Sequence, residues 1–168
     1  MVKRIVFYGG CQVGMITLLT ILALKHLVVC VIPVDELVES IARKLNLKIL
    51  KIKDINSSQV VKDIKALNPD LIICCNGKQI FGKELLGIPG INLHANLYKY
   101  PGNNPIEKMI KDKEKRASVG VHWITEIIDG GPVIIENFKK IKGTTEKEIY
   151  NELYSLYSLT LTEALNKI

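Results

Sequence analysis

The sequence predicts an α/β protein with a mixed, mostly parallel central sheet and helices on both faces. Three observations carry that expectation. Apolar strands alternate with amphipathic helices over residues 3–75, the pattern of βαβ units. Asp70–Cys75, DLIICC, has no polar face, which places it in the middle of a sheet covered on both sides. Beyond Asn92 the connections between strands shorten, so part of the second half must pair antiparallel.

Taken in order, KRIVFY at 3–8 reads as the first strand. A glycine turn follows, and then an apolar helix over Val13–Leu24. The turn Gly9-Gly10-Cys11-Gln12-Val13-Gly14 lacks GxGxxG spacing and is a poor dinucleotide fingerprint, although its glycines let a ligand approach the helix N-terminus at Gly10. LVVCVI from Leu27 is the second strand. Asp35 caps a helix whose Leu37, Ile41 and Leu45 fall on one face, and LKILKI at 47–52 reads as another strand. Ser57 or Ser58 begins a helix carrying Val60, Val61, Ile64 and Leu67, which Asn68-Pro69 stops. After the central strand comes the loop Asn76–Ile80, at the carboxyl end where open α/β sheets bind ligands. The next strand ends at His94. A helix spans Pro105–Lys111, strands follow at SVGVHWI and Val133–Phe138, and the last helix opens on a capping box of Thr145 and Glu148. Ile149, Leu153 and Leu156 give that helix its core face. Tyr150, Tyr154 and Tyr157 add a second stripe, a surface that could also receive a second copy of the chain.

The 168 residues are 48% hydrophobic, enough for one compact domain over 1–168. The longest early apolar run, Val13–Leu24, is too short to cross a bilayer, so no membrane association is expected. Cys11, Cys30, Cys74 and Cys75 show no CxxC spacing and fit reduced thiols of a cytoplasmic protein, with no metal site. Twenty-three Lys and Arg against 17 Asp and Glu leave a net charge of +6, which favours a small anionic partner. The charge lies almost wholly on lysines, spread along the chain, and no nucleic acid partner is expected.

The stretch from Gly90 to Ile135 carries the chemistry. Asn92 and His94 lie two apart on a strand and project from the same face, so a carboxamide and an imidazole converge on one volume. Asp129 precedes Gly130-Gly131-Pro132, a sharp turn from which a carboxylate can reach back. No Ser or Cys nucleophile accompanies them. The trio suits direct attack of an amine on a carbonyl: the amide and a protonated imidazole steady the oxyanion, and the carboxylate orients the imidazole and helps remove the amine proton.

With those residues in view, the chain resembles the formyltetrahydrofolate-dependent formyltransferase family. The resemblance covers nearly the whole chain and is strongest in PDLIICCNGKQIFGKELLGIPGINLHANLYKYPG and SVGVHWITEIIDGGPVI. It implies a Rossmann-like formyltransferase fold, and an enzyme that moves the formyl group of 10-formyltetrahydrofolate to the primary amine of a small acceptor. In that reading Asn92, His94 and Asp129 match the Asn-x-His and Asp-x-Gly catalytic motif. Lys78, Gln79 and Ile80 match the loop that lines the pterin pocket, largely through backbone groups, and Ile124, Glu126 and Asp129 belong to the segment that closes on the pteridine from the other side. No metal is implied.

Two departures bear on the acceptor. After His94 the chain reads Ala95-Asn96-Leu97-Tyr98-Lys99 where many members have Pro-Ser-Leu-Leu-Pro, and it is one residue shorter before Tyr100-Pro101-Gly102. The first glycine turn lacks the Gly-Ser-Asn phosphate loop of glycinamide ribonucleotide enzymes. A further tRNA-holding domain, found in methionyl-tRNA formyltransferases, is not expected after the last helix. A phosphorylated, nucleotide-linked amino sugar is therefore the expected acceptor, with Gly10, Lys99, Tyr100 and Asn103 as its contacts. Glycinamide ribonucleotide is the alternative acceptor, and a non-catalytic folate or nucleotide binder is the alternative of another class.

Overall fold

The computed structural model describes residues 1–168. Six strands are hydrogen-bonded in the order β2-β1-β3-β4-β5-β6, with parallel and antiparallel neighbours, the mixed sheet that the sequence predicts. The chain divides into two compact units, Met1–Ile91 and Asn92–Ile168.

In the first unit β1 (Arg4–Gly9) is flanked in parallel by β2 (Leu27–Pro33) and β3 (Leu71–Cys75). Ile5, Val6 and Phe7 are fully buried between those neighbours, as an apolar run with no polar face requires. Helix α1 (Cys11–Ala23) starts at Cys11, two residues before its apolar run, because the backbone of Gly10 is extended and Gly14 N–H already donates to Gly10 O. Helix α2 (Glu36–Lys44) is capped as expected: Asp35 Oδ1 accepts from Val38 N at 3.1 Å. Its other oxygen accepts from Cys11 N, so one carboxylate holds the starts of two helices. Replacing Asp35 by alanine should destabilise the protein by roughly 1–2 kcal/mol, the usual cost of a lost cap, as read by urea unfolding.

Residues 47–52 depart from expectation. Rather than a strand, they make one parallel bridge, Ile49 to Val31, with Val31 N donating to Lys48 O and Leu50 N to Val31 O. The segment lies beyond β2, at the edge of the sheet, where one strand offers pairing on one side only. Helix α3 (Ser58–Ala66) begins after Ser57, whose side chain makes no capping bond. A short helix α4 (Lys83–Leu86), with no sequence periodicity to announce it, leads to β4 (Gly90–Ala95).

The second unit takes β4 from Asn92 onward, then α5 (Pro105–Lys111), β5 (Arg116–Trp123), β6 (Val133–Lys140) and α6 (Glu146–Lys167). β5 and β6 are antiparallel, and α6 packs over both. The buried face of α6 is Ile149, Leu153, Leu156, Tyr157, Leu161, Ala164 and Leu165, so Tyr157 joins the core. Thr145 and Glu148 form the capping box. Asn96 ends β4. It adopts φ 51, a left-handed conformation that asparagine tolerates, and its buried side chain accepts from Ser118 N at 2.8 Å and donates to Met109 Sδ. Lys99 N and Tyr100 N both donate to Asn96 O, closing a tight turn after His94.

Candidate active site

Strand alternation in β4 sets the site. Ile91, Leu93 and Ala95 are buried, while Asn92 and His94 emerge on the opposite face, partly covered. Asp129 stands in the turn between β5 and β6 at φ 50, a left-handed conformation that aspartate tolerates in tight turns. From there its carboxylate gathers the others. Oδ1 accepts from Asn92 Nδ2 at 3.1 Å, Oδ2 accepts from Gly102 N at 2.7 Å, and Oδ2 lies 3.2 Å from His94 Nε2. The three side chains read from the sequence therefore occupy one volume, with side-chain exposures of 12% for His94 and 10% for Asp129.

The proton on His94 can be placed. Nε2 faces two acceptors, Asp129 Oδ2 and the Gly102 carbonyl at 2.9 Å, so Nε2 carries hydrogen. Nδ1 is buried and meets no group in hydrogen-bonding geometry. Burial alone would pull the imidazole pKa down. The hydrogen bond and charge of Asp129 outweigh it, helped by the Gly102 backbone and, less, by Ala95, so the pKa lies above its ordinary value of 6.5. For Asp129 the same balance runs the other way: burial opposes the charge, but the hydrogen bond and charge of His94 and the Gly102 amide hold the carboxyl well below the usual range.

These shifts define a pH window. The raised His94 contributes stability below 6.5, lost as pH climbs through its elevated pKa; the depressed Asp129 contributes above 3.8, lost as pH falls through its lowered one. The stability gap between the protein and its Asp129→Asn variant should therefore be widest between those values and narrow on the alkaline side. Urea titrations across pH would show it; a gap that keeps growing above neutrality would contradict the pairing.

One residue of the cluster has no place in the sequence-based trio. His122, near the end of β5 and 2% exposed, has Nε2 3.2 Å from Asn92 Nδ2 and 3.4 Å from Asp129 Oδ1. Its signal was a titratable side chain inside the apolar run SVGVHWI, which on its own reads as a core histidine. Gly102 contributes through backbone atoms that no side-chain pattern reveals.

Of the expected acceptor contacts, Gly10 is buried, and a Cβ placed there would sit 2.7 Å from Asp35 Oδ2. Tyr100 is 7% exposed and its hydroxyl donates to Asp112 at 2.7 Å. Lys99 is held by Glu114 at 2.9 Å. Asn103 is exposed, next to Gly102.

In the first unit, the Tyr8 hydroxyl accepts from Lys78 N and Gln79 N, each at 3.0 Å. The Gln79 side chain is directed inward, accepting from Ile55 N and donating to Lys53 O, and Asn56 Nδ2 donates to Ile80 O. The loop is thus fixed by the protein, and it is the Ile80 side chain, 57% exposed, that remains outward. In the second unit Ile124 is half-buried, Glu126 exposed, and Ile127 and Ile128 stand 70% and 60% exposed just before Asp129. No group of His, Cys, Asp and Glu could hold a metal ion, and no helix is long and apolar enough to cross a membrane.

The formyl transferase family model matches residues 29–165. A methionyl-tRNA formyltransferase of Methylacidiphilum infernorum is 31% identical over 132 residues, which are 76% of this chain and 41% of that protein. Another, of Halothermothrix orenii, is 32% identical over 136 residues, 78% of this chain and 43% of that one. The chain spans about two fifths of the length of the curated relatives it matches. Among solved structures, phosphoribosylglycinamide formyltransferase of Campylobacter jejuni superposes with a TM-score of 0.83 at 22% identity, covering 98% of this chain and 96% of that one. Glycinamide ribonucleotide transformylase 1 of Symbiobacterium toebii gives 0.85 at 20% identity, covering 97% and 85%. At such identities the structural likeness speaks for the fold, and the family model, matched from β2 to α6, speaks for descent: the chain belongs to the formyl transferase family.

Proposed function

We propose that the protein transfers the formyl group of 10-formyltetrahydrofolate to a primary amine. The observation that carries this reading is the His94–Asp129 pair, 3.2 Å apart, in which the carboxylate favours the charged form of the imidazole. As the amine nitrogen bonds to the formyl carbon, the carbonyl electron pair moves to oxygen, and the positive charge of His94 stabilises that oxygen. His94 gives a proton to that oxygen, and the neutral imidazole left beside Asp129 then takes one proton from the amine. When the bond to the folate nitrogen breaks, a proton returns to that nitrogen, so protons balance and the formyl group has changed partner. Exposed Ile127 and Ile128, beside Asp129, are apolar side chains that a pteridine ring would cover. The backbone of Lys78 to Ile80 and the segment Ile124 to Asp129, Glu126 included, are assigned to the folate.

As acceptor we assign a nucleotide-linked amino sugar, supported by the net charge of +6 and by exposed Asn103 beside Gly102. A second reading, the amino group of methionyl-tRNA, is favoured by the relatives that bear that name. An absorbance assay for tetrahydrofolate release, run with a nucleotide amino sugar, glycinamide ribonucleotide and methionyl-tRNA, separates them. Folate binding without turnover on any of the three would sink the enzymatic reading in favour of a binding protein.

A further inference from the structure

Asn92 has two amide hydrogens, and both are engaged inside the protein. The atom 3.1 Å from Asp129 Oδ1 must be nitrogen, because an ionised carboxylate only accepts; this fixes which way the amide is turned. His122 decides the second hydrogen. Its Nδ1 lies 2.9 Å from the Trp123 carbonyl, which also only accepts, so the His122 proton sits on Nδ1 and leaves a bare lone pair on Nε2. That lone pair is 3.2 Å from Asn92 Nδ2 and takes its second N–H. A doubly protonated His122 would set a donor against a donor at this distance, and Asn92 cannot flip to relieve it without turning its oxygen on Asp129. His122 Nε2 also lies 3.4 Å from Asp129 Oδ1, but Asn92, His94 and Gly102 already supply that carboxylate with donors, so it needs no proton from His122.

The remaining polar atom of Asn92 is its carbonyl oxygen, an acceptor. We infer that His122 is a positioning residue that turns Asn92 so that its oxygen, not its amide hydrogens, is offered to the reactants, and that Asn92 holds the attacking amine rather than the oxyanion. A neutral amine donating one N–H to Asn92 Oδ1 keeps its lone pair free for the formyl carbon. The bond to carbon forms, the carbonyl pair moves to oxygen, and the amine's surplus proton leaves toward the His94–Asp129 pair. The developing oxyanion then falls to His94, whose Nδ1 is buried and without a partner. Substrate binding must uncover that nitrogen. Recognition is therefore divided: the amine is read by an acceptor held in place by His122, and the formyl oxygen by the imidazolium.

The division of roles rests on the transferase reading, but the orientation of Asn92 does not, so its test begins without turnover. Nitrogen NMR of the full chain with ¹⁵N-labelled histidine should show His122 at neutral pH as the neutral Nδ1–H form. An Nε2–H form, or a cation, would overturn the inference whether or not the protein is active. Kinetics supply the second arm, with the amine that turns over in the acceptor panel. His122→Leu removes the lone pair and should raise KM for the amine about tenfold, the scale of one lost hydrogen bond, while KM for the formyl donor changes less than twofold. His122→Gln, which can present a carbonyl oxygen to Asn92, should recover most of the loss. Equal effects on both substrates, or a glutamine variant no better than leucine, would overturn it. Wild-type protein inactive on every amine would count against the transferase reading alone, and the NMR result would still decide how Asn92 is turned.

Discussion

Replacing Asp129 by asparagine should lower kcat/KM by about a hundredfold or more while leaving the fold in place, the scale on which positioned acid–base and charge-stabilising groups act. The substitution preserves shape and removes the charge. His94 then loses the partner that lifts its pKa, and less of it is cationic at neutral pH. The new amide would also set an NH2 group among donors that the carboxylate now satisfies, Asn92 Nδ2 at 3.1 Å and Gly102 N at 2.7 Å, so the turn at residues 100–102 loses an anchor. A companion shift follows in the pH–rate profile: the limb reporting His94 should move to lower pH as its pKa relaxes toward the ordinary value. Steady-state rates paired with thermal unfolding would distinguish lost chemistry from lost structure. A folded variant with near-normal turnover would remove Asp129 from the mechanism.

Truncation of Phe7 to alanine should cost about 3–5 kcal/mol, the range for emptying a fully buried aromatic site. Phe7 has no exposed surface and lies on the central strand of the first unit, where it pairs with Val31 of β2 and Ile73 of β3. Neighbours on both sides are pinned by ladder hydrogen bonds and can collapse little into the space. Against a total stability of about 5–15 kcal/mol for an ordinary domain, this is enough to unfold a marginal protein at modest temperature. Phe7→Leu should cost clearly less, because it leaves a smaller void. Urea midpoints for the two variants give the comparison, and an alanine variant within 1 kcal/mol of the parent would mean the core is far looser than its burial implies.

Much of the architecture was legible because its causes are local. The strand at Leu71–Cys75 has no polar face, the α2 cap is an aspartate with a free backbone amide three residues on, and the α6 capping box is a four-residue pattern. The single bridge at Ile49 reads as a strand in the sequence because alternation cannot tell whether a partner strand lies alongside. The bonds of Lys99 to Glu114 and of Tyr100 to Asp112 are not legible locally, because nothing in the sequence shows which acids arrive beside them.

By itself the sequence determined the alternation of strands and helices, the stops and caps that bound them, and the placing of Asn92 and His94 on one face of a strand, since a period of two requires it. Tertiary structure alone decided what those side chains meet. Asp129 reaches Gly102 across 27 residues and Asn92 across 37, and His122 reaches Asn92 across 30. Contacts of that span are set by strand order and register, which fix protons and amide orientations only once the sheet has formed.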